Sequence, residues 1–207
     1  MASSEHLVTI GNASQLSTVI KGDFIQGRGE ARCVFVGRSN VGKSSLINAL
    51  LDHGKLAQVS KTPGKTRLIH CYWAPNLKRV VVDLPGYGYA KIARGEKKKW
   101  DDLIGSYLDA DPKIEYLVLL LDSRHGPTSA DEEMMDFFQD WRERAVVVMT
   151  KIDELRGQSV KHKRKSEVAK ALKELGWGLA PIHWVSVHTE EGLDDLQRTL
   201  ESGAKAR

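Results

Sequence analysis

With 207 residues, 28% of them charged and 41% hydrophobic, the chain has the length of one domain and can bury a core without a metal or disulfide staple. Its two cysteines, Cys33 and Cys71, sit in apolar, strand-like surroundings; that excludes a disulfide framework or a zinc site and points to buried thiols in a reducing cytosol. The longest apolar runs, Leu117 to Leu121 and Ala145 to Met149, are far short of a membrane span, the opening Met-Ala-Ser-Ser-Glu-His is not expected to act as a signal peptide, and a net charge of +4 favours an anionic partner only weakly.

In chain order, the first thirty residues are weakly patterned and fit either an added edge strand or a partly disordered extension. A strand is expected over 32–36 and a helix over 43–51. Residues 67–73 and 79–83 read as two strands joined at Pro75-Asn76, a hairpin that reverses one strand against the rest. A helix over 97–108, a strand over 115–122, a helix over 129–139 and a strand over 144–150 follow. The series ends with a helix over 159–175, a strand over 182–187 and a helix over 192–200. Runs such as Tyr-Leu-Val-Leu-Leu-Leu and Ala-Val-Val-Val-Met suit strands covered on both faces. The expected fold is therefore α/β: a mostly parallel six-stranded sheet with one antiparallel strand and helices on both faces. The domain is expected over 24–202, between an N-terminal extension (1–23) and a basic C-terminal tail (203–207).

The chemistry begins at Gly37-Arg38-Ser39-Asn40-Val41-Gly42-Lys43-Ser44, a complete Walker A loop between a strand and a helix that continues into Ser45. Glycine lets the backbone close around a polyphosphate, and the loop N–H groups and helix N-terminus face its charge. Lys43 is assigned to the β- and γ-phosphates and the Ser44 hydroxyl to magnesium. About 40 residues later, a strand delivers Asp83-Leu84-Pro85-Gly86 to its C-terminal end, where ligands bind in open α/β sheets. Asp83 is expected to hold magnesium through water, and the Gly86 N–H to meet the γ-phosphate.

Thr150-Lys151-Ile152-Asp153 ends the fifth strand. A carboxylate at Asp153 accepts the N1–H and 2-amino hydrogens of guanine, neither of which adenine offers, so an ATPase is disfavoured. The stem of Lys151 is expected to cover the base, and the backbone N–H groups of Val185-Ser186-Val187 to meet the guanine carbonyl. Between the Walker loop and Asp83 lies Ser60-Lys-Thr-Pro-Gly-Lys-Thr66, where Thr66, with Thr62 as rival, is the expected second magnesium ligand and γ-phosphate sensor.

Taken together, the Walker loop, Lys-Thr-Pro-Gly-Lys-Thr, Asp-Leu-Pro-Gly-Tyr-Gly-Tyr-Ala and Thr-Lys-Ile-Asp resemble the EngB (YihA/YsxC) family of bacterial GTPases, over residues 24–200. The resemblance implies a Ras-like P-loop domain, GTP and GDP as ligands, magnesium, and a role in large ribosomal subunit maturation and in cell division and septation. It supports Thr66 over Thr62 and reads Gly64, Lys65, Thr66, Arg67 and Leu68 as nucleotide-contacting. It also accommodates Thr150, where many GTPases carry asparagine.

Lys43, Thr66 and Gly86 are the residues expected to act on the γ-phosphate. The position after Asp-x-x-Gly often supplies a glutamine that orients water; here it is Tyr87, so intrinsic hydrolysis is expected to be slow. The missing group is then expected from a partner or from a potassium ion held by Asn40. Lys97-Lys98-Lys99 and Lys161-His-Lys-Arg-Lys165 are either solvated helix faces or contacts for rRNA phosphates. A monomer in the cytoplasm is expected, with the large ribosomal subunit or its precursor as partner and with neither membrane nor DNA. The competing reading is a regulatory module that senses GTP and recruits a protein in cell division, with hydrolysis incidental.

Overall fold

A computed structural model describes residues 3–11, 31–57, 68–88 and 94–203. Its elements are β1 (Glu5–Ile10), β2 (Arg32–Gly37), α1 (Lys43–Leu50), β3 (Ile69–Ala74), β4 (Arg79–Asp83), α2 (Arg94–Ala110), β5 (Ile114–Asp122), α3 (Ser129–Phe137), β6 (Ala145–Thr150), α4 (Gln158–Glu174), β7 (Ile182–Trp184) and α5 (Leu193–Ser202). One sheet runs in the order β1-β3-β4-β2-β5-β6-β7. Pairing is antiparallel only at β1–β3 and β3–β4, so β3 alone is reversed. The expected α/β architecture is present, with a seventh strand.

That strand, β1, comes from the weakly patterned N-terminal stretch, so residues 5–10 belong to the sheet. Its inner end is anchored by the buried Ile10. The hairpin turn lies where Pro75-Asn76 places it, closed by the Leu77 N–H on the Ala74 carbonyl, with Lys78 in the left-handed region.

The central strands are buried throughout, and alternate residues feed two cores. Val34, Val36, Leu117, Leu119, Leu121, Val147 and Met149 meet α2, α3 and α4 through Ile104, Tyr107, Met135, Phe138, Val168 and Leu172. Cys33, Phe35, Val118, Leu120, Val146 and Val148 meet α1 and α5 through Leu46, Ile47, Leu196 and Leu200. Two apolar faces require two helical layers, which is why these strands read as continuous apolar runs. Cys33 and Cys71 are free buried thiols, each pushed up to about 12 mainly by burial. No helix among the described residues is long and apolar enough to cross a membrane.

For the site, what matters is one edge of this sheet. Gly37, Asp83, Asp122 and Thr150 are the C-terminal residues of β2, β4, β5 and β6. The chain leaves β2 toward one side of the sheet and returns at β5 on the other, so a topological switch point lies beside β2.

Candidate functional site

The Walker segment leaves β2 at Gly37, where a Cβ would come within 2.9 Å of Val41 Cγ1 and 3.0 Å of Leu120 Cβ. It turns through two left-handed residues, Asn40 (φ 65°) and Gly42 (φ 102°), into α1. This helix lacks a side-chain cap and has no acidic residue in its first turn. From Gly42 to Ser45 no backbone N–H finds an acceptor among the described residues. Helix N-termini are ordinarily satisfied by Ser, Thr, Asp or Asn caps; a bare one backed by the helix dipole is complementary to a polyphosphate.

Lys43 forms an ion pair with Asp83, joining the loop to the end of β4. Burial pushes the Lys43 amine down to about 7; the adjacent carboxylate favours the ammonium, and we read the pair as charged. The segment after Asp83 is pinned on both sides of Gly86. The Leu84 N–H donates to Phe35 O, Trp100 Nε1 to Pro85 O (3.1 Å), and the Ser39 N–H to Tyr87 O (3.0 Å). A Cβ on Gly86 would meet Ser39 Oγ at 3.0 Å, so glycine is what allows this closeness. Ser44 and Asp83 supply the hard oxygen donors that phosphate-bound magnesium takes. No group of three or more His, Cys, Asp or Glu among the described residues is arranged to hold a metal alone, and magnesium carried on phosphates needs none. Ser60, Thr62, Gly64, Lys65, Thr66 and Arg67 lie outside the described residues; Leu68 is half-buried just before β3.

The Tyr87 side chain is turned into the protein. Its ring is 5% exposed and its hydroxyl donates to Asp131 Oδ1 at 2.8 Å. Burial first, then the Asp131 charge, holds the phenol far above its usual range. Asp131 Oδ2 also accepts the Thr128 N–H and hydroxyl that begin α3, and Arg38 lies 3.9 Å from Oδ1. Tyr87 is thus a structural anchor. Tyr87→Phe should destabilise the fold by about 1–3 kcal/mol, because a buried acceptor loses a partner, yet change the rate of GTP hydrolysis by less than about threefold. Denaturant unfolding and phosphate release check the two halves; a large rate loss in a stable variant would contradict this assignment.

On the base side, the Thr150 hydroxyl bonds Val41 O (2.7 Å) and Leu121 O (3.2 Å), so β6 holds the Walker loop directly. Lys151 is left-handed (φ 60°), and its Nζ reaches Asn40 O (2.8 Å) and Asp122 Oδ2 (3.0 Å). Ile152 is buried, and Asp153 follows in a 3-10 turn over Ile152–Glu154, half-buried and with no partner among the described residues. The expectation for residues 185–187 needs correction. β7 stops at Trp184, the Val185 N–H donates to Met149 O (2.8 Å), and the Ser186 N–H donates to Glu191 O (2.9 Å). Only the Val187 N–H of the three has no acceptor among the described residues, so it alone is left for a base carbonyl.

Sequence reasoning missed Asp122, Asp131 and Trp100. Asp122 had a legible signal: like Asp83, it ends an apolar strand run.

This geometry agrees with the comparisons. Residues 32–151, more than half of the chain, match the family model described as 50S ribosome-binding GTPase. The chain is 44% identical over 169 residues to the probable GTP-binding protein EngB of Prosthecochloris aestuarii, covering 82% of this chain and 85% of that one. It is 42% identical over 173 residues to the EngB of Clostridium kluyveri, covering 81% and 83%. The chain belongs to the EngB family of GTP-binding proteins. A crystal structure of a probable GTP-binding protein engB superposes with a TM-score of 0.65 at 25% identity, covering 86% of this chain and all of that one. The fold also matches Era in complex with MgGDPNP and a 16S ribosomal RNA fragment, at a TM-score of 0.62 and 24% identity over 86% of this chain and 58% of that one. As an EngB-family GTPase, this protein binds GTP and GDP and hydrolyses GTP. The bare α1 N-terminus with Lys43, and Lys151 with Asp153, follow the C-terminal ends of β2 and β6 at the same edge of the sheet.

Proposed function

We propose that this protein is a slow, magnesium-dependent GTPase of the cytoplasm that acts as a switch in large ribosomal subunit assembly and is needed for normal cell division. The family description, 50S ribosome-binding GTPase, is the observation that carries the ribosomal part. Magnesium supplies charge neutralisation at the phosphates when bound, with Ser44 as ligand, Asp83 as the acceptor for its water, and Thr66 as the second protein ligand. Lys43 holds the β- and γ-oxygens, and the Gly86 N–H marks the γ-phosphate. Slowness follows from Tyr87, whose hydroxyl is committed to Asp131. A rate on the order of 10⁻⁴ per second corresponds to a barrier of about 23 kcal/mol, and a 10⁵-fold stimulation would remove about 7 kcal/mol. The stimulating group is a partner's or a potassium ion beside Asn40, which is exposed and whose backbone carbonyl is already held by Lys151.

The basic helix α4 supports rRNA contact less than its composition suggests. Lys161 pairs with Glu191, Arg164 with Glu167 and the Arg124 and His125 carbonyls, and Lys165 lies over the Trp184 ring. Lys98, Lys99 and Lys163 are the exposed cations of the two clusters least committed to such contacts. One observation favours the alternative, recruitment of a protein in cell division. Phe137 is exposed on α3, packed against Trp100, which itself holds the Pro85 carbonyl beside Gly86.

Cosedimentation with purified large subunits separates the readings. Binding with a non-hydrolysable GTP analogue but not with GDP, weakened by K98E/K99E/K163E and by salt, is the expected result. Absence of binding in every nucleotide state at low salt would overturn direct docking on the subunit.

A further inference from the structure

We propose that Asp122 is a positioning residue for the guanine nucleotide: its carboxylate fixes the Lys151 ammonium on the Asn40 carbonyl, and thereby fixes the base-covering lysine relative to the phosphate loop. The proposal rests on the guanine site described above, not on the ribosomal role.

Asp122 ends β5 with its side chain 3% exposed, while Lys151 is 24% exposed. Four donors reach the two carboxylate oxygens. The Arg124 N–H (3.0 Å) and Nε (2.9 Å) take Oδ1; Arg124 Nη2 (2.7 Å) and Lys151 Nζ (3.0 Å) take Oδ2. Burial disfavours the charge, but the hydrogen bonds from Arg124 and then Lys151 outweigh it and hold the carboxyl well below the usual carboxylate range. Its contribution is therefore fully present above the ordinary aspartate value of about 4, and is lost only as pH falls below that.

Lys151 has particular need of such a hold. Its backbone is in the left-handed region, which non-glycine residues seldom adopt. Its side chain spans from the end of β6 to the loop after β2, and Asn40, at the far end, is left-handed as well. A four-carbon stem carries substantial rotamer freedom, and two charge-assisted bonds at its tip remove it. Without the Asp122 charge, Arg124 would keep only its Glu154 partner (2.9 Å), and the Lys151 ammonium would lose its carboxylate and be left on the loop by the Asn40 carbonyl alone.

Asp122 also caps its own turn, through the Arg124 N–H and the His125 and Gly126 N–H bonds to its carbonyl. The test must therefore separate positioning from folding. Asp122→Asn is measured with Lys151→Met and the double variant, using titration with a fluorescent GDP and GTP turnover at saturation. Expected for D122N is an affinity loss of about tenfold or more, equal for GDP and a GTP analogue, with turnover at saturation within about twofold. In the K151M background D122N should add less than about twofold, because residues acting through one contact are not additive. Arg124→Gln, which keeps the Asp122–Lys151 bond, should leave GDP affinity within about threefold. Full additivity in the double variant, or unchanged GDP affinity in D122N, would overturn the proposal.

Discussion

Asp153→Asn should weaken GDP binding by about 100-fold or more and shift preference toward xanthosine diphosphate. The carboxylate is half-buried in a short turn and has no partner among the described residues. Guanine presents two donors to it, at N1 and the 2-amino group, and bonds to an ionised acceptor contribute about 1.5–3 kcal/mol each. An amide replaces one acceptor by a donor, which then opposes the 2-amino group. Xanthine carries a carbonyl there, so the amide matches it. The substitution lies on a turn whose fixed points are the buried Ile152 and the Ile152 N–H bond to Val185 O, so the fold should survive. Titration of the variant with both nucleotides and thermal unfolding check this. Undiminished GDP affinity would show that another group reads the base.

Lys43→Ala has the second large effect, and it splits in two. Hydrolysis at saturating GTP should fall by about 100- to 1000-fold, the scale for losing one preorganised charge donor at a developing anion. Stability should fall as well, because Asp83 is buried and loses its ion-pair partner. The double variant K43A/D83A should recover stability without recovering hydrolysis. Recovery of hydrolysis in the double variant would mean that Lys43 serves only to neutralise Asp83.

The parts of this site that sequence disclosed are those where residue type and chain geometry coincide. Gly37, Gly42 and Gly86 sit where a left-handed backbone or a close approach excludes a Cβ. Asp83 and Thr150 end strands that their apolar runs announce. What stayed hidden was tertiary. β1 carries only one fully buried residue, Ile10, so its period was too faint to separate an edge strand from an extension. The strand expected to continue to Val187 stops at Trp184: the Val185 N–H still bonds β6 at Met149 O, but the Ser186 N–H leaves the ladder for Glu191 O. Tyr87 could be read as unable to replace a glutamine, but its anchoring required Asp131, 44 positions away. The basic run in α4 signalled charge without its distant acceptors, Glu191 and the Arg124 and His125 carbonyls, which become visible only in the fold.

The most direct test of the account is displacement of fluorescent GDP from the wild-type protein by unlabelled GDP, IDP and ADP in magnesium buffer. IDP keeps the N1–H but lacks the 2-amino group, and ADP lacks both donors. The site built around Asp153 predicts IDP about ten to 100-fold weaker than GDP and ADP weaker by about 10⁴-fold. Displacement by ADP at concentrations comparable to GDP would contradict it.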